Sequence, residues 1–407
     1  MSAEKSEVIA AITKLGGSVT AADVATETGL SPDRATQNLN LIASETGGRL
    51  QVSKDGNIAY SFQPGFAGKY LSHGLQLIVL NVLKRVFQIG YFLLRISFGL
   101  GLMLSLGVVL LFTMPSLLGD IFSAEIGGLF GKEGKKKTRK KASSKAQSEQ
   151  LTVRAKASSQ FKTLSDFSLK CFSFLFGDGN PNEHLDDERW RLIARKIRAK
   201  GYAVTSDELS PYTGKKPDDE DAVLPVLVRF VGTPEVTKSG NIVYLFPSLT
   251  KVAADEQQQD LPLFLEENLW KFSSVSEKDL QNVRLLAGLN FLGTWGLWFW
   301  SFHARGWQLP APLFNLLVLY GTAFLALPLA RYQALKKMNM AIAKRNDERR
   351  TYANRLEAPK KDLKKKLAEA SSLKLETSHI GDKDIVYTTD KDLLDQPDEL
   401  DEQFKGA

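Results

Sequence analysis

The side chains that could do chemistry are few and scattered. A single cysteine, Cys171, rules out an intrachain disulfide, a four-thiolate zinc site and a thiolate-ligated iron–sulfur cluster held by this chain alone. The four histidines, His73, His184, His303 and His379, lie far apart in sequence and supply no metal-ligand spacing. Asp178-Gly-Asn180-Pro-Asn182 opens like a calcium loop. Its sixth position, however, is Glu183 or His184 depending on register rather than glycine, and the twelfth from Asp178 is Arg189 rather than a bidentate glutamate. The segment therefore predicts a turn into a helix whose first residues, Asp186, Asp187 and Glu188, suit a helix N-terminus. No spacing identifies a reaction, so the chain is expected to be non-catalytic, with no catalytic, cofactor-binding or metal-binding residue and no cofactor.

What must be positioned instead is membrane and protein surface. The chain has 407 residues, 43% of them hydrophobic and 24% charged, with a net charge of +7, and its apolar residues are gathered into a few uncharged runs. The run Ile96–Gly119, between Arg95 and Asp120, is long enough to cross a ~30 Å hydrocarbon core as a helix. The runs Leu285–Phe302 and Gly306–Ala330, joined by His303-Ala304-Arg305-Gly306, predict a transmembrane hairpin. Trp295, Trp298, Trp300 and Trp307 crowd one end of it, as an interfacial aromatic belt does. Basic residues follow the first run (131–145, GKEGKKKTRKKASSK) and the third (Lys336, Lys337, Lys344, Arg345, Arg349, Arg350), whereas the hairpin tip offers only Arg305. The positive-inside rule then places the middle region and the C-terminus in the cytoplasm or stroma.

The stretch Lys69–Arg95 is amphipathic, with Asn81, Lys84, Arg85 and Gln88 on one helical face. It either lies in the membrane interface or crosses with that stripe turned toward protein, which gives three or four membrane helices. Crossing is slightly favoured, because it keeps Lys69, Lys84, Arg85 and Arg95 off the wrong side.

Self-similarity is the most specific signal. Residues 52–62, VSKDGNIAYSF, match residues 236–246, VTKSGNIVYLF, at an offset of 184, and Val19-Thr20 with Val24 and Gly29 is echoed by Val204-Thr205 with Leu209 and Gly214 at an offset of 185. Each copy has an amphipathic helix (Glu4–Leu15; Glu188–Ala199), a short strand, and a helix capped by Thr20 or Thr205. A third helix (Ser31–Ser44; Pro217–Phe230) leads to a hairpin turned at Asp55-Gly56 or Ser239-Gly240. This is the winged-helix order. The expected architecture is a mainly α integral membrane protein with two duplicated winged-helix-like α+β modules, residues 1–68 and 183–250. Between and beyond them lie an amphipathic helix (69–95), a membrane helix (96–119), a basic linker with an apolar surface-packing segment (120–182), a connector (251–284), the hairpin (285–330) and a basic helix with an acidic tail (331–407).

Winged helices often bind DNA, but the charges argue otherwise here. The first copy has five basic against seven acidic residues and the second ten against eleven, with PDDED opening its third helix. Phosphates would be repelled, so nucleic acid is not an expected partner and protein docking is. Residues 131–160, rich in Lys, Ser and Ala, have the composition of a disordered linker attracted to anionic headgroups. Arg331–Glu369 has thirteen basic and five acidic residues and Glu376–Ala407 three and ten, a reversal that favours folding back or separate partners. In the tail, 385–394 (IVYTTDKDLL) predicts a strand and a short helix.

FLFGDGNPN (174–182), ERWRLIARKI (188–197), LPVLVRF (224–230), GNIVYLFPSL (240–249) and IVYTTDKDLLDQ (385–396) together resemble a family shared by cyanobacteria and chloroplasts, whose plant members carry the label iron–sulfur cluster biosynthesis family protein. The resemblance implies a thylakoid membrane protein that supports photosystem I assembly, with photosystem I subunits or other assembly factors as partners. The lone Cys171 departs from the family's label, since it cannot ligate a cluster. The expected function is therefore a non-catalytic thylakoid assembly scaffold. A membrane-tethered winged-helix transcriptional regulator and an iron–sulfur maturation accessory protein stand as alternatives.

Overall fold

The computed structural model describes residues 3–67, 75–113, 162–217, 219, 222–254, 260–301 and 310–389. The first module comprises α1 (Ala3–Lys14), β1 (Ser18–Thr20), α2 (Ala21–Thr28), α3 (Pro32–Thr46), β2 (Arg49–Ser53) and β3 (Ile58–Ser61). Then come α4 (Leu75–Thr113) and α5 (162–176). The second module comprises α6 (Leu185–Ala199), β4 (Ala203–Val204), α7 (Ser206–Thr213), α8 (Leu224–Phe230), β5 (Thr233–Val236) and β6 (Ile242–Leu245). Following it are β7 (Lys251–Val252), α9 (Glu277–Ser301), α10 (Ala311–Glu357), α11 (Lys361–Ser372), β8 (Ser378–His379) and β9 (Ile385–Thr388). The protein is mostly helical with small sheets, and two of its described helices, Arg85–Phe112 and Ala311–Glu357, are long and apolar enough to cross a membrane, each holding an 18-residue stretch of mean hydropathy 2.0 or 1.9.

The same local chemistry builds both modules. Thr20 Oγ1 accepts the Asp23 N–H at 3.1 Å while the Asp23 carboxylate accepts the Thr20 N–H at 3.1 Å; Thr205 and Glu208 repeat this capping box at 3.4 and 3.0 Å. Gly29 and Gly214 end the helices so started in left-handed conformation, at φ +76° and +71°. The hairpins share one register: Leu50 opposite Tyr60 and Val52 opposite Ile58 in the first, Pro234 opposite Tyr244 and Val236 opposite Ile242 in the second. At each turn a hydroxyl, Ser53 Oγ or Thr237 Oγ1, accepts the N–H of Asn57 or Asn241 at 3.2 Å. Strand order is β1-β3-β2 in one module and β4-β6-β5 in the other, so the element order and strand order of the two agree.

Two compact units divide the chain. The first draws on residues 1–79, 182–269 and 341–407 and holds both modules around one core, which includes Val19, Leu39, Ile42, Tyr60, Ile193, Ile197, Phe230 and Phe246. Within it α2 packs on α6, and the Arg195 guanidinium holds both Glu27 carboxylate oxygens at 3.0 and 3.1 Å. The Asp23 carboxylate also accepts the Ala253 and Ala254 N–H groups, at 2.8 and 3.1 Å. From the far end of the chain, β9 pairs antiparallel with β2, extending the first module's sheet to β1-β3-β2-β9. On α10, Arg345 and Arg349 hold the Glu267 carboxylate at 2.6 and 2.7 Å; these charge-assisted bonds, that from Arg345 foremost, keep it below the usual carboxylate range. These two arginines therefore serve packing within this unit.

The second unit draws on residues 80–181 and 270–340. Ser105 donates to Asn290 Oδ1 at 2.7 Å, and Tyr320 to the Phe98 carbonyl at 2.6 Å, both between helices. A Cβ at Gly293 would lie 2.4 Å from Val109, and one at Gly321 2.6 Å from Thr294, so these glycines allow close helix approach. A Cβ at Gly288 or Gly296 would face open space. Arg331 caps the C-terminal end of α5, reaching the Ser173 and Phe174 carbonyls at 3.3 and 3.4 Å, and also bonds the Phe272 carbonyl. Asp178 accepts the Ser274 N–H at 2.6 Å, serving a turn as the sequence suggested.

Several expected boundaries move. One helix, α4, joins the described parts of 69–95 and 96–119, because no proline interrupts 75–113 and its residues are good helix formers. Likewise α10 continues past Ala330 to Glu357, with Pro328 inside it. The hairpin's first arm falls short of the apolarity of the other two helices, since Asn290, Thr294, three glycines and Trp295, Trp298 and Trp300 lower its hydropathy. In the second module the third helix begins at Leu224 rather than Pro217, because Pro225 fits only the first turn. The acidic PDDED run therefore precedes the helix. The basic linker 131–160, the hairpin tip with His303, Arg305 and Trp307, and the tail beyond Thr389 lie outside the described residues.

Candidate docking face

Because the hairpins share a register, positions in α3 and α8 can be compared directly. Gly47 and Val231, 184 residues apart, both end their helix in left-handed conformation, and Gly48 and Gly232 both lie under an aromatic ring, Phe62 or Phe246. On that alignment the outward positions differ in kind. Where the first module exposes Asn40, Ser44 and Gly47, the second exposes Leu224, Val228 and Val231, at 56%, 73% and 53% of their full surface. Their spacing of four and three residues makes one apolar ridge along α8. Buried Val226 and Phe230 hold the opposite side of the helix in the core. A β-branched residue at φ +52° carries backbone strain that Gly47 avoids in the equivalent place.

A groove of about 650 Å³ runs beside the ridge, between the N-terminal ends of α3 and α8, lined by Leu30, Arg34, Trp190, Leu224, Val228 and Arg229. Arg229 stacks 4.5 Å from the Trp190 ring centroid while its Nε donates to the Gly29 carbonyl at 2.7 Å, tying the two modules together at the groove floor. Burial lowers the pKa of this guanidinium, and Asp186 and Asp187 oppose the shift. Apolar side chains around a stacked arginine and tryptophan are the composition of a protein-binding surface. Beyond the ridge, all four residues of β5 are exposed.

Among the described residues no three His, Cys, Asp or Glu side chains converge to hold a metal. Cys171 is buried in α5, and burial pushes its thiol up to about 12, so it carries no thiolate near neutral pH. The docking face was missed as a site, although its signal was in LPVLVRFV: a helix apolar on every side has more hydrophobic surface than one core can cover.

No protein-family model matches the chain, and no solved structure matches it. It is similar to a protein of Arabidopsis thaliana, the uncharacterized chloroplastic protein At5g03900, at 30% identity over 435 residues that cover 97% of this chain and 81% of the plant protein. With similarity running through both modules and both long apolar helices, the chain belongs to the family of this chloroplast protein.

Proposed function

We propose that the protein is a non-catalytic, membrane-anchored scaffold of the thylakoid that supports photosystem I biogenesis. Two winged-helix-like modules, related by duplication, serve it as docking surfaces for a photosystem subunit or another assembly factor. The observation that carries this reading is the exposed ridge Leu224, Val228 and Val231, at positions where the first module is polar. A module that read DNA would present lysine and arginine on that helix; α8 presents apolar side chains. The chloroplast relative and the two long apolar helices support a chloroplast membrane location.

Packing of α2 on α6 argues that both modules share one compartment, and the basic residues after the apolar helices favour the stroma for it, with Lys336 and Lys337 exposed toward anionic headgroups. An iron–sulfur role draws no support from the buried thiol of Cys171. Deleting the gene is expected to lower photosystem I content, read spectroscopically against photosystem II, while photosystem I transcripts stay near normal. Unchanged photosystem I, or a parallel fall in its transcripts, overturns the reading.

A further inference from the structure

The two module sheets differ at one edge. In the first, the outer hairpin strand β2 is covered by β9; in the second, the equivalent strand β5 pairs with β6 alone among the described strands. The Leu50 backbone faces outward from β2: its N–H donates to Thr389 Oγ1 at 3.0 Å and its carbonyl accepts the Thr389 N–H at 3.1 Å. Alternation along the strand turns the Val52 backbone outward as well, opposite Tyr387.

On β5 the corresponding outward positions are Pro234 and Val236. Proline lacks an N–H, yet the N–H it lacks is the one that in β2 reaches only a side chain. Among the described residues no strand takes up the Pro234 carbonyl or the backbone groups of Val236, so they can carry a ladder. Val236 is 67% exposed. Glu369 of α11 bonds Thr237 and Asn241 at the hairpin turn, through side chains alone, at 2.6 and 2.8 Å. The apolar ridge of α8 leads straight into this edge, since Val231 ends the helix and Thr233 begins the strand.

Resting on the docking role above, we propose that β5 accepts an extended segment of the partner protein as a fourth strand, antiparallel and in the register that β9 takes on β2. The register defines the segment's chemistry. An aromatic or β-branched residue stands opposite Val236, as Tyr387 stands opposite Val52. A lysine or arginine stands opposite Glu235, which is exposed and forms no ion pair among the described residues, at the place where Thr388 faces Gln51.

The test uses the full chain in solubilised membranes. Val236→Pro removes the outward N–H without touching the β5–β6 ladder, because that group points away from β6, as the Pro234 nitrogen already does. The share of protein in its high-mass complex on native gels should fall about tenfold in this variant, and persist in Val236→Ile. Unchanged circular dichroism and Tm of the purified variant show that the fold is kept. A Val236→Pro protein that assembles like the wild type overturns the strand.

The double variant Leu224→Lys, Val228→Lys separates the two levels. Loss of the complex in this variant alone leaves docking intact and removes strand addition; no loss in either variant removes the docking role itself. Should Val236→Pro unfold, the wild-type chain decides with a synthetic peptide of sequence DIVYKTD as probe. Slowed hydrogen exchange at the Val236 amide supports the strand, and exchange unchanged at millimolar peptide overturns it.

Discussion

Arg198 of α6 reaches the carboxylate of Asp23 on α2 at 3.4 Å, and the Asp23 side chain is wholly shut off from solvent. One acid thereby caps its own helix, fixes the chain after β7 through two N–H groups, and joins the two modules. Asp23→Ala strands the Ala253 and Ala254 donors together with the half-buried guanidinium of Arg198. It should cost about 3–5 kcal/mol, while Arg198→Met, which leaves the other bonds in place, should cost less. Thermal unfolding of the full chain in detergent checks the order; an Asp23→Ala loss no larger than a surface substitution's would contradict it.

Val231 offers a test in which stability and function move oppositely. Val231→Gly relieves the left-handed strain and should gain about 0.5–1 kcal/mol, net of the glycine's greater unfolded-state freedom. The same change removes an exposed apolar side chain from the ridge, so the high-mass complex should weaken. The converse, Gly47→Val, should only destabilise. A Val231→Gly protein that is more stable and assembles normally would exclude Val231 from the docking face.

Compartment follows from packing between α2 and α6. On the thylakoid, stroma-facing placement proposed above, protease added to sealed right-side-out thylakoids should remove an N-terminal tag and cut the second module together, because surfaces buried against each other cannot lie on opposite sides of a bilayer. Protection of the tag while the second module is cut would show the packing to be absent in the membrane.

Glu369 gives a pH dependence of definite sign. Bonds from Asn241, Ser239 and Thr237 lower its carboxyl from 4.5 to about 2. A depressed folded-state pKa contributes stability above the unfolded value, so the contact between α11 and the second hairpin turn should hold above pH 4.5 and be lost as pH falls toward 2. Hydrogen exchange at the Thr237 and Asn241 amides across that window checks it. Glu369→Ala should abolish the pH-dependent component; its persistence in that variant would assign it to another group.

The hairpins were legible because a glycine turn and seven matched residues specify register locally, and Val52 opposite Ile58 and Val236 opposite Ile242 realise it. The caps at Thr20 and Thr205 were legible for the same reason. What failed to show was nonlocal. A run such as IVYT announces a strand but not that its neighbour is β2, more than 330 residues earlier, and nothing near Asp23 in sequence announces its bonds to Ala253, Ala254 and Arg198. Between 95 and 96 the sequence changes from amphipathic to apolar, which marks a change of surroundings; the backbone ladder of α4 passes through it without a break. The ridge on α8 escaped because apolar residues in a short helix are ordinarily core.

The pairing of β9 with β2 also carries a consequence for biosynthesis. The first module's sheet includes a strand made more than 330 residues after β2, so at about 5–20 residues per second the edge of β2 waits uncovered for tens of seconds. Throughout that interval both long apolar helices are being made. An exposed edge is a natural substrate for chaperones and a hazard for aggregation. Closure by β9 therefore marks, on the earlier-made module, that the segments in between have been made.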